Sequence, residues 1–183
     1  MGEIAWLACR VAASSNSDFH LLMSNIFVMR KEHEKAIAET KRAIALNPNN
    51  ANAYCFLGYM LCLSDRPVEG IEYIKKAIQL NPSPPSMYLV VLGHAYRAAG
   101  QYDNALESYN KSLKTGPNNI FAYIGLAATY SLTGREKEAR EAGLEVLKID
   151  PEFSLKDFAK IVPIRNQDEL KRYIGAIHKA GLN

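Results

Sequence analysis

The stretch Leu92–Pro117, LGHAYRAAGQYDNALESYNKSLKTGP, decides how the rest of the chain is read. Helical spacing places Leu92 and Tyr96 on one face of one helix, and Ala105 and Tyr109 on one face of a second. Gly100 lies between them, where a chain that must reverse direction has its turn. Gly93 and Ala105 are small enough to let the two helices approach closely. The unit therefore reads as a helical hairpin built on alternating small and bulky positions.

Its features recur along the chain. Prolines at 48, 82, 117 and 151 are spaced by 34, 35 and 34 residues. The same spacing relates the small residues Ala36, Gly70, Ala105 and Ala139, which open the second helix. It also relates Ser24, Gly58, Gly93 and Ala127 in the first helix, and the bulky Phe27, Leu61, Tyr96 and Tyr130. The extra residue falls in Ser83-Pro84-Pro85, a loop, where insertion is tolerated. A 34-residue helix-turn-helix period resembles the tetratricopeptide repeat. The resemblance implies an all-α, right-handed superhelical solenoid.

The register divides the chain into a partial repeat helix over residues 1–16 and four repeats over 17–50, 51–84, 85–119 and 120–150. A two-helix cap over 151–183 follows. Residues 3–13, EIAWLACRVAA, match the second helix of a unit whose first helix is missing. Trp6, Leu7 and Val11 there expect a neighbour, so the chain reads as a fragment of a longer protein. Asp18 is a candidate N-cap, and Glu34, Lys35, Glu39, Lys41 and Arg42 form a solvated face. In the fourth repeat Gly143 replaces a bulky residue at a cost of about 1 kcal/mol in helix propensity. The expected gain is room for the C-terminal segment to dock. Ser154 with Asp157, and Asn166 with Glu169, read as capping boxes. Pro163 separates the two helices they open, and Gly181 stops the second. Such a pair is what a solenoid needs to cover its exposed end.

Composition excludes several functions. Twenty-two Lys and Arg stand against 19 Asp and Glu, a net charge of +3 with the signs interspersed. No basic stripe follows from that, so nucleic acid is not an expected partner. Three cysteines without paired spacing argue against a secreted disulfide scaffold. Cys55 and Cys62 fall on one helix about 10 Å apart, too far to bridge. No apolar run reaches the ~20 residues that span a bilayer, and the start lacks the basic region of a signal peptide. The chain reads as cytoplasmic. His20, His33, His94 and His178 are scattered, with no metal-ligand spacing. No phosphate-cradling loop or activated nucleophile is visible, so the chain is expected to be a non-enzyme without cofactors.

The run from Ala139 to Asn183 carries a more specific resemblance. Val146-Leu147, Asp150-Pro151, Phe153-Ser154-Leu155, Phe158, Pro163 and Lys179-Ala180-Gly181-Leu182 are similar to the C-terminal end of bacterial class III adenylate/guanylate cyclases that carry repeats. With related runs upstream, the likeness covers about residues 30–183. It implies a regulatory or docking tail of a signalling protein; none of the cyclase's catalytic residues are present.

The remaining candidate site is the concave groove lined by first helices. Carrying inward positions across the register gives Leu21, Asn25 and Val28, then Asn52, Cys55, Tyr59 and Cys62. The third repeat gives Met87, Val90, His94 and Arg97, and the fourth Phe121, Ile124, Ala128 and Ser131. Some tetratricopeptide proteins clamp an acidic tail with cationic and amide residues. Here Leu21, Cys55, Met87 and Val91 occupy those places, so such a clamp is mostly absent. An apolar groove with Tyr59, His94 and Arg97 suits an amphipathic helix or extended peptide. Alternatively, the chain's own segments fill it, or a second copy does as a homodimer. A stand-alone chaperone or adaptor for secretion clients is the other functional reading.

Overall fold

Each turn of the 34-residue period folds into one helical hairpin. The computed structural model describes residues 17–183 and, among them, places ten α-helices and no strand. Helix α1 (Ser17–Met29) pairs with α2 (His33–Leu46), and α3 (Ala51–Leu63) with α4 (Pro67–Leu80). Helix α5 (Ser86–Ala98) pairs with α6 (Tyr102–Thr115), and α7 (Ile120–Leu132) with α8 (Glu136–Ile149). Helices α9 (Leu155–Ile161) and α10 (Gln167–Lys179) complete the chain. The partial repeat expected over residues 1–16 lies outside the described residues.

The small residues do what their spacing implies. In the second hairpin, a Cβ on Gly58 would lie 2.6 Å from the Gly70 carbonyl oxygen, and a Cβ on Gly70 2.6 Å from that of Gly58. The two backbones are therefore in contact. The first hairpin uses Ser24 at the same place and satisfies its hydroxyl internally, at 2.8 Å from the Ala36 carbonyl and 2.7 Å from Thr40 Oγ1. Most buried hydroxyls in folded proteins find such partners.

The hairpin turns follow one design. Lys31, Asp65, Gly100 and Gly134 hold the left-handed conformation, with φ of 58, 66, 74 and 73°. After each, the next amide bonds back to the carbonyl of the bulky register residue. These bonds run from Glu32, Arg66, Gln101 and Arg135 to Phe27, Leu61, Tyr96 and Tyr130, at 2.8–2.9 Å. This is the Schellman closure. Glycine takes the conformation freely in the last two hairpins, whereas Lys31 and Asp65 hold it against side-chain sterics.

Some polar expectations shift. Asp18 sits in the first turn of α1, inside the helix where the sequence suggested a cap. Glu39 is not simply solvated: its carboxylate lies 2.6 Å from His20 Nδ1 and also meets Arg42. Ser154 does cap α9, accepting from the Asp157 amide, and Asn166 caps α10, accepting from the amides of Asp168 and Glu169.

Gly143 has the expected role. A Cβ there would lie 2.6 Å from the Ala180 carbonyl oxygen and 3.6 Å from Leu182 Cγ. The C-terminal residues thus close directly on the α8 backbone, where Leu182 and Ile177 are fully buried. Gly143→Val is expected to push Ala180–Leu182 off α8 and cost about 1–3 kcal/mol. Gly175, with open space around its Cβ position, is the contrast. Gly175→Ala should stabilise by about 0.5–1 kcal/mol through helix entropy. Urea unfolding of the two variants checks both signs.

Candidate binding groove

The inner faces of α3, α5 and α7 enclose a trough of about 520 Å³, lined by Asn52, Cys55, Phe56, Tyr59, Pro85, Met87, Tyr88, Val91, His94 and Phe121. A second hollow of about 170 Å³ lies deeper, between these helices and the C-terminal segment. Tyr59, His94 and Phe121 line both, so the two are continuous. Met87 and Phe121 are 42% and 44% exposed, leaving apolar surface open at the outer trough. At its edge Asn52 accepts a hydrogen bond from the Tyr88 hydroxyl.

The trough's titratable groups are electrically quiet. Burial pushes the thiols of Cys55 and Cys62 up to about 12, so both are neutral and non-nucleophilic at neutral pH. Burial also raises the Tyr59 hydroxyl to about 12. Burial, with the Arg97 charge beside it, drives His94 down to about 3, leaving a neutral imidazole 2.8 Å from the Tyr109 hydroxyl. No group here is poised for proton transfer near neutral pH. Among the described residues no cluster of three His, Cys, Asp or Glu could hold a metal, and no helix is long and apolar enough to cross a membrane.

The charge in the groove is already matched. Arg97 is 3% exposed. Its Nη1 lies 2.8 Å from Glu169 Oε1, and its guanidinium stacks 3.9 Å from the Tyr173 ring centre. Glu169 also binds Arg172 at 2.6 Å. The sequence assigned Glu169 to a capping box; the structure instead commits its side chain to two arginines.

The expected groove residues separate into groups. Asn52, Cys55, Tyr59, Met87, His94 and Phe121 come together in the outer trough. Arg97 faces the inner hollow and is taken by the chain's own C-terminal helix, so it is not an open contact. Val90 is fully buried among Leu106, Tyr109 and Ala122, and its neighbour Val91 faces the trough instead. A one-residue step on a helix turns a side chain by roughly 100°, enough to make this exchange. Ile124 is 1% exposed and packs beneath Tyr173 and Ile177 of α10. Asn25 is exposed on α1, away from the trough lining, and donates to the Leu21 carbonyl at 3.1 Å.

The sequence left open that the chain's own segments fill the groove, without naming the residues that form its C-terminal wall. Phe158, Ile161, Val162, Pro163 and Ile164 line the inner hollow. Their signal was present as an apolar run interrupted by proline, but nothing local says which surface such a run covers.

Comparison with known proteins fits this geometry. A family model described as "Tetratricopeptide repeat" matches residues 85–152, and one described as "TPR repeat" matches residues 25–61. The chain is built from tetratricopeptide repeats. Anaphase-promoting complex subunit 3 of Schizosaccharomyces pombe is 27% identical over 109 residues, 60% of this chain and 16% of that protein. The chain spans 28% or less of such curated relatives. Among solved structures, PilW, a type IV pilus biogenesis factor, aligns with a TM-score of 0.74 at 21% identity, covering 93% of this chain and 76% of that one. YrrB, a tetratricopeptide protein with an unusual peptide-binding site, aligns at 0.62 and 18% identity, covering 96% and 90%. These likenesses establish the solenoid fold.

Proposed function

We propose that this tetratricopeptide chain is a non-catalytic docking module that holds a peptide or helix of a partner protein in the trough between α3, α5 and α7. The observation that carries this reading is the open apolar floor at Met87, Val91 and Phe121, flanked by the polar edge of Asn52 and Tyr88. A partner side chain of Leu or Phe size buried there gains about 1.5–3 kcal/mol per residue, and the edge polar groups fix its orientation. The C-terminal likeness to cyclase tails supports a place in a bacterial, cytoplasmic signalling protein, with the solenoid as its regulatory or docking region.

Panning a random peptide library against the full chain tests the docking reading. Selected peptides should bind, and Met87→Asp should weaken them at least about tenfold, since a buried unpaired carboxylate in the interface is strongly unfavourable. Val68→Asp, on a 65% exposed residue of α4, should leave binding unchanged. Equal binding by Met87→Asp and the unsubstituted chain would place the site elsewhere. Concentration-dependent mass in sedimentation, abolished by Met87→Asp, would identify a second copy as the occupant. The cyclase-tail reading fails if the gene that encodes this chain encodes no nucleotide cyclase.

A further inference from the structure

The concave face already holds one occupant, and its chemistry describes the next. After α9 ends at Ile161, the chain does not turn directly into α10. Residues Val162–Arg165 cross the groove to reach the first two hairpins. The Arg165 amide donates to the Leu63 carbonyl at 3.0 Å, and its guanidinium meets Glu34 at 3.2 Å. Ile164 bridges two cores: it packs against the cluster of Val28, Leu57 and Leu61 in the first two hairpins, and against the cluster of Tyr173 and Ile177 that α10 builds at the other end. This strap is held at its other end by Glu169 on Arg97.

The strap fits less well than the cap that follows it. Beneath it lies the 170 Å³ hollow, Arg97 Nε is buried with no hydrogen-bond partner, and Ile161 is 74% exposed. Buried donors are nearly always paired, and a large apolar side chain left this exposed contributes little burial to hold its segment. The cap meets that standard: Ile177 and Leu182 are fully buried and Ala180 is closed on Gly143. The Arg165–Glu34 pair joins two exposed side chains and adds little. Segments with such packing open at the low end of the local free-energy range. Val162–Arg165 can therefore lift more readily than the cap, with the Arg97–Glu169 pair at the start of α10 the last contact to part.

We infer that the strap, Phe158–Glu169, is an intramolecular stand-in for the partner, and that the partner segment carries the same chemistry: an apolar–Pro–apolar run followed by a carboxylate for Arg97. This rests on the docking reading above and extends it inward from the outer trough. Proline keeps such a run extended and lowers its ordering cost. Arg97 requires an anion wherever the strap is displaced, because an uncompensated buried charge is strongly disfavoured. The strap, tethered in place, competes at an effective concentration of order mM. The apparent affinity for any partner is lowered by the fraction of time the strap is away.

The test uses a fluorescein-labelled peptide of residues 157–170, DFAKIVPIRNQDEL, titrated into the full chain and followed by anisotropy. The unsubstituted chain should bind it weakly, and Ile164→Ser, which loosens the strap in cis, should bind it at least tenfold more tightly. A peptide carrying Ile164→Ser and Glu169→Gln should lose that gain. Amide exchange should be at least 100-fold faster at Ile164–Gln167 than at Ala176–Leu182 in the unsubstituted chain. Should Ile164→Ser fail to fold, Arg165→Ala is the replacement, with a gain of two- to threefold expected. Equal peptide binding with and without strap release, or strap amides as protected as those of the cap, would overturn the inference. Library peptides that bind in a Met87-dependent way but ignore strap release would leave the outer trough standing and remove the strap from it. Strap-peptide binding to Ile164→Ser without any library binder would do the reverse.

Discussion

Gly125→Ala is expected to be among the most damaging single-atom additions possible in this chain. A Cβ there would lie 2.4 Å from Cζ and 2.5 Å from Cε1 of Tyr109. That ring is fully buried. It cannot retreat, because the position a Cβ would take on Gly93 lies 2.5 Å from the same ring. Tyr109 is thus gripped between glycines of α5 and α7, and its hydroxyl is tied to His94 at 2.8 Å. Alanine gains about 1 kcal/mol of helix propensity over glycine, but forced overpacking at a rigid site costs about 1–3 kcal/mol or more. A net loss of about 2 kcal/mol is expected, with separation of the third and fourth repeats. The discriminating measurement is a double-mutant cycle with Tyr109→Leu, read by urea unfolding. In the Tyr109→Leu background the alanine should cost far less, since the clashing ring is gone. Additive effects would show that the ring is not the obstacle.

This grip shows what the sequence could and could not express. The register columns Ser24–Gly58–Gly93–Ala127 and Ala36–Gly70–Ala105–Ala139 make the hairpins legible, because helix pairing at a fixed spacing is a local property. Gly143 was legible for the same reason: a missing side chain at a bulky position announces that something else occupies the space. The strap was not legible. Arg165 and Glu34, or Arg97 and Glu169, lie 131 and 72 residues apart, and no periodic pattern links them. Within the groove, the first-helix positions fall on the trough lining where one face is shared by several repeats, as at Cys55, Met87 and Phe121. They fall off it at Val90 and Ile124, where a rotation of one residue or the arrival of α10 reassigns the face. Repetition specifies the scaffold; the departures from repetition decide which part of its concave surface stays open.

The second large effect is expected at the latch itself. Removing one partner of a buried ion pair costs about 3–5 kcal/mol, because the other charge is left without compensation. Arg97 and Glu169 side chains are 4% and 16% exposed, so solvent screens the pair weakly. Glu169→Ala leaves the Arg97 guanidinium with neutral partners alone, the Tyr173 ring 3.9 Å away and the Tyr109 hydroxyl, and should cost the full amount. Arg97→Met should cost less, because Glu169 keeps Arg172 at 2.6 Å and sits nearer to water. The double variant Arg97→Met/Glu169→Met should recover most of the loss, since apolar residues of similar volume replace buried ion pairs at little or no penalty. Urea unfolding of the three variants should therefore rank Glu169→Ala below Arg97→Met, and Arg97→Met below or level with the double variant. If Glu169→Ala costs less than about 1 kcal/mol, the pair behaves as a surface contact and the inner groove is open to water in solution. A charge that can be removed together with its partner at little cost is free to meet a partner's carboxylate, as the inference above requires. The double variant should accordingly fold well and fail to bind any partner that relies on a carboxylate.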